Sequence, residues 1–179
     1  MKSRWFHRHR LGVLAAILYC SAAQSSLAGQ DILDQPVTLA SESDLVHAVS
    51  ATLQHALVTT EQFQARTPRL QRFARQELET RRKGLKVLSK RAGIQPPNIT
   101  KLAIVPRSER QYVQAMLRNH SRLLELIEHG MGLSLAPDIK RLMLKLSESA
   151  ASELSALSSM EHSRKLVVAP ETTLQVRTL

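Results

Sequence analysis

The stretch TPRLQRFARQELETRRKGLKVLSKRAG, residues 67–93, decides how the rest of the chain is read. Thr67 is a capping residue type, Pro68 suits the first helical position, and Gly93 is a helix stop. Between these marks Leu70, Phe73, Ala74, Leu78, Leu85, Leu88 and Ala92 return to one face at about 100° per residue. The opposite side carries Arg72, Arg75, Arg82, Lys83, Lys86 and Lys90. A helix apolar on one side and cationic on the other must bury its stripe against neighbours.

Working outward, residues 44–66 place Leu45, Val49, Leu53, Ala56, Leu57 and Phe63 at helical spacing, with Ser41, Ser43 and Asp44 as capping candidates. Residues 94–107 hold Pro96, Pro97 and Pro106, which predicts a loop crossing one end of the molecule. Ser108-Glu109-Arg110-Gln111 fits a capping box for a third helix, with Val113, Met116, Leu117, Leu123, Leu124, Ile127 and Met131 on one face and Gly130 and Gly132 at its end. Pro137-Asp138 opens a fourth, with Ile139, Met143, Leu146, Ala150, Leu154 and Leu157 inward and an end near Arg164. The second and third helices echo each other when Phe73 is set on Tyr112: Leu78 falls on Leu117, Leu85 on Leu124, Leu88 on Ile127 and Gly93 on Gly132. The expected fold is all-α, an antiparallel four-helix bundle over residues 44–166. A polar lead-in, 29–43, precedes it and a disordered tail, 167–179, follows.

Composition agrees. Hydrophobic residues are 43% of the 179, but aromatics only 3%, with 6 glycines, which suits helix packing better than a sandwich of twisted sheets. The first 28 residues read as a cleavable signal peptide. Lys2, Arg4, Arg8 and Arg10 form a positive start, Leu11 to Cys20 is a short apolar run, and Ser26-Leu27-Ala28 offers small residues for cleavage, with Ser21-Ala22-Ala23 as a second candidate. That run is short for a membrane span. Tyr19 before Cys20 is too large for a lipidation site. Cleavage after Ala28 would remove the only cysteine, leaving no disulfide, thiolate metal site or cysteine nucleophile. The expected location is periplasmic or secreted, with no transmembrane segment in the mature chain.

The formal charge is +10, but residues 66–91 alone hold ten basic residues against Glu77 and Glu79. Basicity is therefore a property of one helix. An anionic envelope surface, such as lipid headgroups or lipopolysaccharide phosphates, or a protein partner would suit that face. Nucleic acid would not, because export removes the protein from it and no aromatics are interleaved for base stacking.

Phe73-Ala74, then Leu85, Leu88 and Gly93 before a proline-containing loop, followed by Tyr112-x-x-x-Met116-x-x-x-His120, resembles an uncharacterised group of exported bacterial proteins, a domain of unknown function with a ferritin-like four-helix fold. The resemblance covers about Asp44 to Arg164 and implies a ferritin-like bundle. The family pattern places an Asp/Asn-His pair after the aromatic of both central helices. Asn119-His120 matches it, whereas Thr80-Arg81 replaces the other histidine with a cation.

Four polar residues fall on or beside inward stripes: Glu77 and Arg81 one turn apart, His120 between Met116 and Leu124, and Glu153 at the border of the fourth stripe. Glu161 lies on that stripe near its end. Buried charges are costly unless paired, so these groups are expected to meet across the bundle axis. One form is a structural cluster with Glu77 and Arg81 paired at i,i+4. The other is a metal site with Glu77, His120 and Glu153 as ligands, since bundles use inward Glu and His in this way. The Glu-x-x-His motif of di-iron bundles is absent, because Glu125 is followed by Glu128 and then His129. Arg81 would repel a divalent ion. No other cofactor is expected. His47 and His55 fall off the first stripe and should be solvated, while His129 and His162 sit near helix C-termini, where a cationic ring suits the dipole. The methionines are too scattered to bind copper and read as core filling. No phosphate-cradling glycine loop, nucleophile elbow or Ser/His/Asp arrangement is present, so the expectation is a non-enzymatic protein of the cell envelope. The exported protein should begin at or near Gly29; mass spectrometry of the periplasmic fraction showing an intact N-terminus would overturn the signal peptide.

Overall fold

The computed structural model describes residue 33, residues 38–99 and residues 105–168, with side chains described as far as residue 163. The expected signal peptide, most of the lead-in and residues 169–179 lie outside the described residues. Among those described, the structure is all-helical, with α1 at Glu42–Glu61, α2 at Pro68–Ala92, α3 at Glu109–Gly130 and α4 at Pro137–Val168.

Side-chain oxygens set the starts of α1 and α3. Before α1, Ser41 is extended and its Oγ accepts from the Asp44 N–H, while Asp44 Oδ2 accepts from the Ala40 N–H and the Ser41 hydroxyl. At α3, Ser108 Oγ accepts from the Gln111 N–H, and Gln111 reaches back one residue further than expected, to the Arg107 N–H. Thr67 occupies the cap position of α2, but its side chain makes no capping bond. The carboxylate of Glu109 does that work from α3, accepting from the N–H groups of Arg66 at 2.9 Å and Thr67 at 2.7 Å. Gly93 ends α2 at φ 65°, where a side chain would be strained.

The same contacts show which ends meet. Glu109 ties the start of α3 to the start of α2. At the other end Glu42 Oε2 accepts from the Ala136 N–H at 2.5 Å, and Arg91 pairs with Asp138 at 3.3 Å, so the start of α4 lies near the start of α1 and the end of α2. Helix α1 packs on α2 and α3, and α4 packs on α3 and α2. Residues 93–108 therefore join two helix ends that lie at opposite ends of the molecule.

The core is divided. One apolar cluster gathers Leu45, Val49, Leu53, Leu85, Leu88, Leu123, Ile127, Met143, Leu146 and Ala150. The other gathers Ala56, Leu70, Phe73, Ala74, Tyr112, Val113, Met116 and Leu157. Along α2, α3 and α4 the break between them falls at polar residues: Glu77 and Arg81 on α2, Asn119 and His120 on α3, Glu153 on α4. On α1, by contrast, neighbouring Ala56 and Leu57 belong to different clusters, next to His55.

The structure departs from several expectations. The link from α2 to α3 connects opposite ends of the molecule instead of crossing one end. Helix α4 runs to Val168, past the expected end near Arg164 and the expected start of the tail at residue 167. Helix α1 ends at Glu61 rather than Arg66, and Phe63 lies beyond its last turn, stacked on the Tyr112 ring at 4.2 Å between centroids. His55 is only 1% exposed, not solvated. The apolar stripe of α1 understates its burial, because Ser50, Thr52, Thr59 and Thr60 are buried too. His47 is exposed.

Glycine spacing offers a stability test. A Cβ on Gly130 would stand 2.5 Å from Leu45 Cδ1 and 2.9 Å from its Cγ, inside a core where Leu45 is fully buried. Gly132 has only ordinary contact, 3.6 Å from the His129 carbonyl oxygen. Gly130→Ala should cost about 1–3 kcal/mol through overpacking, and Gly132→Ala should stay within about 0.5 kcal/mol of wild type. Denaturant midpoints that rank the two in reverse would contradict this packing.

Candidate functional site

Glu77 and Arg81 stand one turn apart on the face of α2 that looks into the molecule. His120 comes from α3 and Glu153 from α4, so three helices supply one polar layer. Their exposures are 1%, 0%, 0% and 7% respectively, between two apolar cores. The structure brings together all four residues that the sequence singled out. It leaves Glu161 outside: that residue lines a separate recess with Gln114 and Arg118.

Arg81 is the hub. Its Nε donates to Glu77 Oε1 at 2.5 Å, and its Nη2 lies 2.5 Å from Glu153 Oε2 and 3.4 Å from Glu77 Oε2. One guanidinium thus binds carboxylates from two helices, the use for which its planar fork is suited. Ser149 donates to the second oxygen of Glu153 at 3.1 Å. Among the described residues Arg81 Nη1 has no hydrogen-bond partner.

The proton on His120 follows from its neighbours. Nδ1 is 2.7 Å from the Met116 carbonyl oxygen, which can only accept, so Nδ1 carries a hydrogen in either charge state. Nε2 is the titrating position. It sits 2.6 Å from Arg81 Nη2, 3.0 Å from Glu153 Oε2 and 3.5 Å from Glu77 Oε2. A neutral ring accepts there from Arg81, and a charged ring donates there to Glu153. Both bonds cannot form at once, so adding the proton trades one partner for the other. Burial disfavours the charged ring, but the hydrogen bonds to Glu153 and Glu77 outweigh it and raise the pKa above the usual histidine value. Burial likewise works against an ionised Glu77, yet the bond to His120 and the charge of Arg81 hold that carboxyl below its ordinary range. With the ring charged, the cluster has two positive and two negative members.

A second polar group lies on the α1–α3 side, and the helical stripes gave no sign of it. Asn119 Nδ2 donates to the Thr52 carbonyl at 3.0 Å and lies 3.4 Å from His55 Nδ1. Thr60 Oγ1 and the Tyr112 hydroxyl share a hydrogen bond at 3.1 Å. Burial is the main influence on that phenol and pushes its pKa up, so Tyr112 stays neutral. The available signal was compositional: α1 carries Thr52, His55, Thr59 and Thr60 among its apolar residues.

As a metal centre, the donor set has the right chemistry but the wrong occupant. Single ligand atoms of Glu77, His120 and Glu153 all lie within 4.8 Å of one another. The guanidinium of Arg81 contacts the same atoms, and a divalent cation beside it would be repelled. With Arg81 in place the residues do not fit a metal.

The basic face of α2 is exposed at Arg72, Arg75, Arg82, Lys83, Lys86 and Lys90. Arg82 reaches Glu61 at 2.8 Å, but both side chains are largely in water, where such a pair contributes little. No helix among the described residues is long and apolar enough to cross a membrane. No family model matches the chain, and no curated protein or solved structure matches it.

Removing the hub should be expensive. Arg81→Leu strands two buried carboxylates and should cost about 3–5 kcal/mol, while changing Glu77 to Met and Glu153 to Leu in the same chain should recover much of that loss. Denaturant titration of the single and triple variants measures both, and a silent Arg81→Leu would show that these groups are hydrated.

Stability should also depend on pH from two sides. Glu77 has a lowered pKa, so its contribution is complete above its ordinary value of 4.5 and is lost as pH falls through the lowered one. His120 has a raised pKa, so its contribution is complete below 6.5 and is lost as pH rises through the raised value. Unfolding midpoints should be highest between these limits, and His120→Gln should flatten the alkaline side. A wild-type curve already flat on that side would refute the stabilised imidazolium.

Proposed function

We propose that this protein is a non-enzymatic, periplasmic bundle of the exported ferritin-like group it resembles, kept in register by the Arg81 cluster and docking to the anionic surface of the cell envelope through α2. The ferritin-like reading draws on the way the chain is joined. Two helix pairs, α1 with α2 and α3 with α4, are linked by one crossover, residues 93–108, which is the connectivity of ferritin-like bundles.

The observation that carries the functional reading is Arg81 itself. It fills the place between Glu77, His120 and Glu153, using up the groups that catalysis or metal binding would need. Among the described residues, the exposed cationic face of α2 stays chemically available, rich in groups that attract phosphates. The competing reading, a metal-binding bundle centred on His120, draws on the convergence of the three ligand atoms. It requires Arg81 to leave its two carboxylates. Zinc added to Arg81→Leu should raise its unfolding midpoint while leaving wild type unmoved; a shift in wild type would favour the metal.

Docking through α2 predicts a salt-sensitive interaction. Binding to phosphatidylglycerol-containing vesicles should fall steeply between low and physiological salt, because the Debye length shrinks to about 8 Å. Changing Arg72, Arg75 and Lys86 together to Glu should abolish it without loss of helicity. Equal binding to vesicles of phosphatidylcholine alone would remove the electrostatic basis.

A further inference from the structure

A groove runs between α2 and α4, the most loosely apposed of the neighbouring helix pairs, with a volume of about 700 Å³. That size is typical of small-molecule sites. Its floor is apolar, made by Val87 of α2 with Leu142 and Leu146 of α4. Gly84 lies beside them, and the lack of a side chain there keeps the floor open: a Cβ would stand 3.3 Å from Leu146 Cδ2. The rim is cationic, with Lys83 on one wall and Arg141 and Lys145 on the other, all exposed. Two carboxylates share the rim. Asp138 is engaged by Arg91 at 3.3 Å, which leaves Glu79 facing three cations. Among the described residues, none of those three lies in an ion pair.

An occupant must match both surfaces. A free phosphate or an acidic peptide would answer the rim and leave the apolar floor in water. A neutral lipid would answer the floor and leave the cations without a counter-charge. An anionic amphiphile satisfies both.

We propose that this groove seats the headgroup of an anionic phospholipid, its phosphate against Lys83, Arg141 and Lys145 and the first part of its acyl chain over Val87, Leu142 and Leu146. The inference rests on the envelope-docking reading and adds a stoichiometric site to it. Diffuse attraction by the outer face of α2 brings the protein to the surface, and the groove takes hold of one lipid. Ser149, on the inner wall, is the hydroxyl that donates to Glu153, so an occupied groove adjoins the buried cluster.

The test titrates the purified protein with lysophosphatidic acid below its micelle concentration, following amide shifts by NMR. Binding should saturate at one equivalent and shift the amides of Lys83, Lys145 and Ser149. Arg141→Glu with Lys145→Glu should weaken it at least about tenfold, as loss of charge-assisted bonds requires. Arg110→Glu with Arg118→Glu, exposed on α3 and outside both the groove and the basic face of α2, should leave it unchanged. Inorganic phosphate, lysophosphatidylcholine and an oligoglutamate peptide should each bind at least about tenfold more weakly, since each lacks one half of the match. Two results would overturn the headgroup seat: a groove variant that binds lysophosphatidic acid as wild type does, or oligoglutamate that binds equally well. If the groove variant is unaltered while anionic vesicles still bind through Arg72, Arg75 and Lys86, the seat falls and envelope docking stands. If neither amphiphile nor vesicle binds, both fall.

Discussion

A single guanidinium at the centre of the molecule governs the arrangement around it. Arg81 is fully buried, and an unpaired charge in that position would be prohibitive, so the helices facing α2 must supply counter-charge at its level. Glu77 does so from the same helix and Glu153 from α4, with His120 of α3 closing the group. The two apolar clusters can then form only on either side of this layer. Ala74 and Leu85, Met116 and Leu123, and Ala150 and Leu157 mark where α2, α3 and α4 each leave one core and enter the next. Packing and electrostatics share one axial alignment.

Much of this was legible because helical spacing is a strong signal. A period of 3.6 residues places Glu77 and Arg81 among Ala74, Leu78 and Leu85, and His120 among Met116 and Leu124, so inward polar groups stand out against an apolar stripe. What spacing cannot carry is distance between helices. The two alternatives for the cluster differ only in whether Arg81 turns toward its neighbours or away, and that depends on three helices at once. Helix α1 was the weakest reading for a related cause. Its buried face includes threonine, serine and histidine, which a hydrophobic pattern counts as outward. Thr52 and Thr60 satisfy their hydroxyls on the carbonyls of Ala48 and Ala56, one turn back, and so tolerate burial without a visible apolar signature.

The helix ends show the same division. Ser41 and Ser108 cap from within their own sequence neighbourhood and could be read directly. The start of α2 is capped by Glu109, more than forty residues away along the chain, so the Thr67-Pro68 signature located the helix but named the wrong side chain for its cap. That long-range cap has a structural consequence. It fixes the far end of the crossover, and with Glu42 and Arg91 at the opposite end it holds both ends of the bundle by charged groups.

Buried ion clusters are a poor source of net stability, since dehydrating the charges costs about as much as their attraction returns. Their worth must lie elsewhere. The cores on either side of this one are built mostly from leucine, valine, alanine and methionine, side chains that repack at modest cost when one helix slides along another. A slide by one turn would keep most of that apolar burial. It would also carry Arg81 about 5.4 Å from Glu153, separating charges that have no water to replace each other. The cluster therefore penalises the alternatives more than it rewards the native arrangement. Placed where α2, α3 and α4 meet, it makes a slippery aliphatic bundle adopt one register, and that register holds α2 and α4 in the apposition that gives their groove its basic rim and apolar floor.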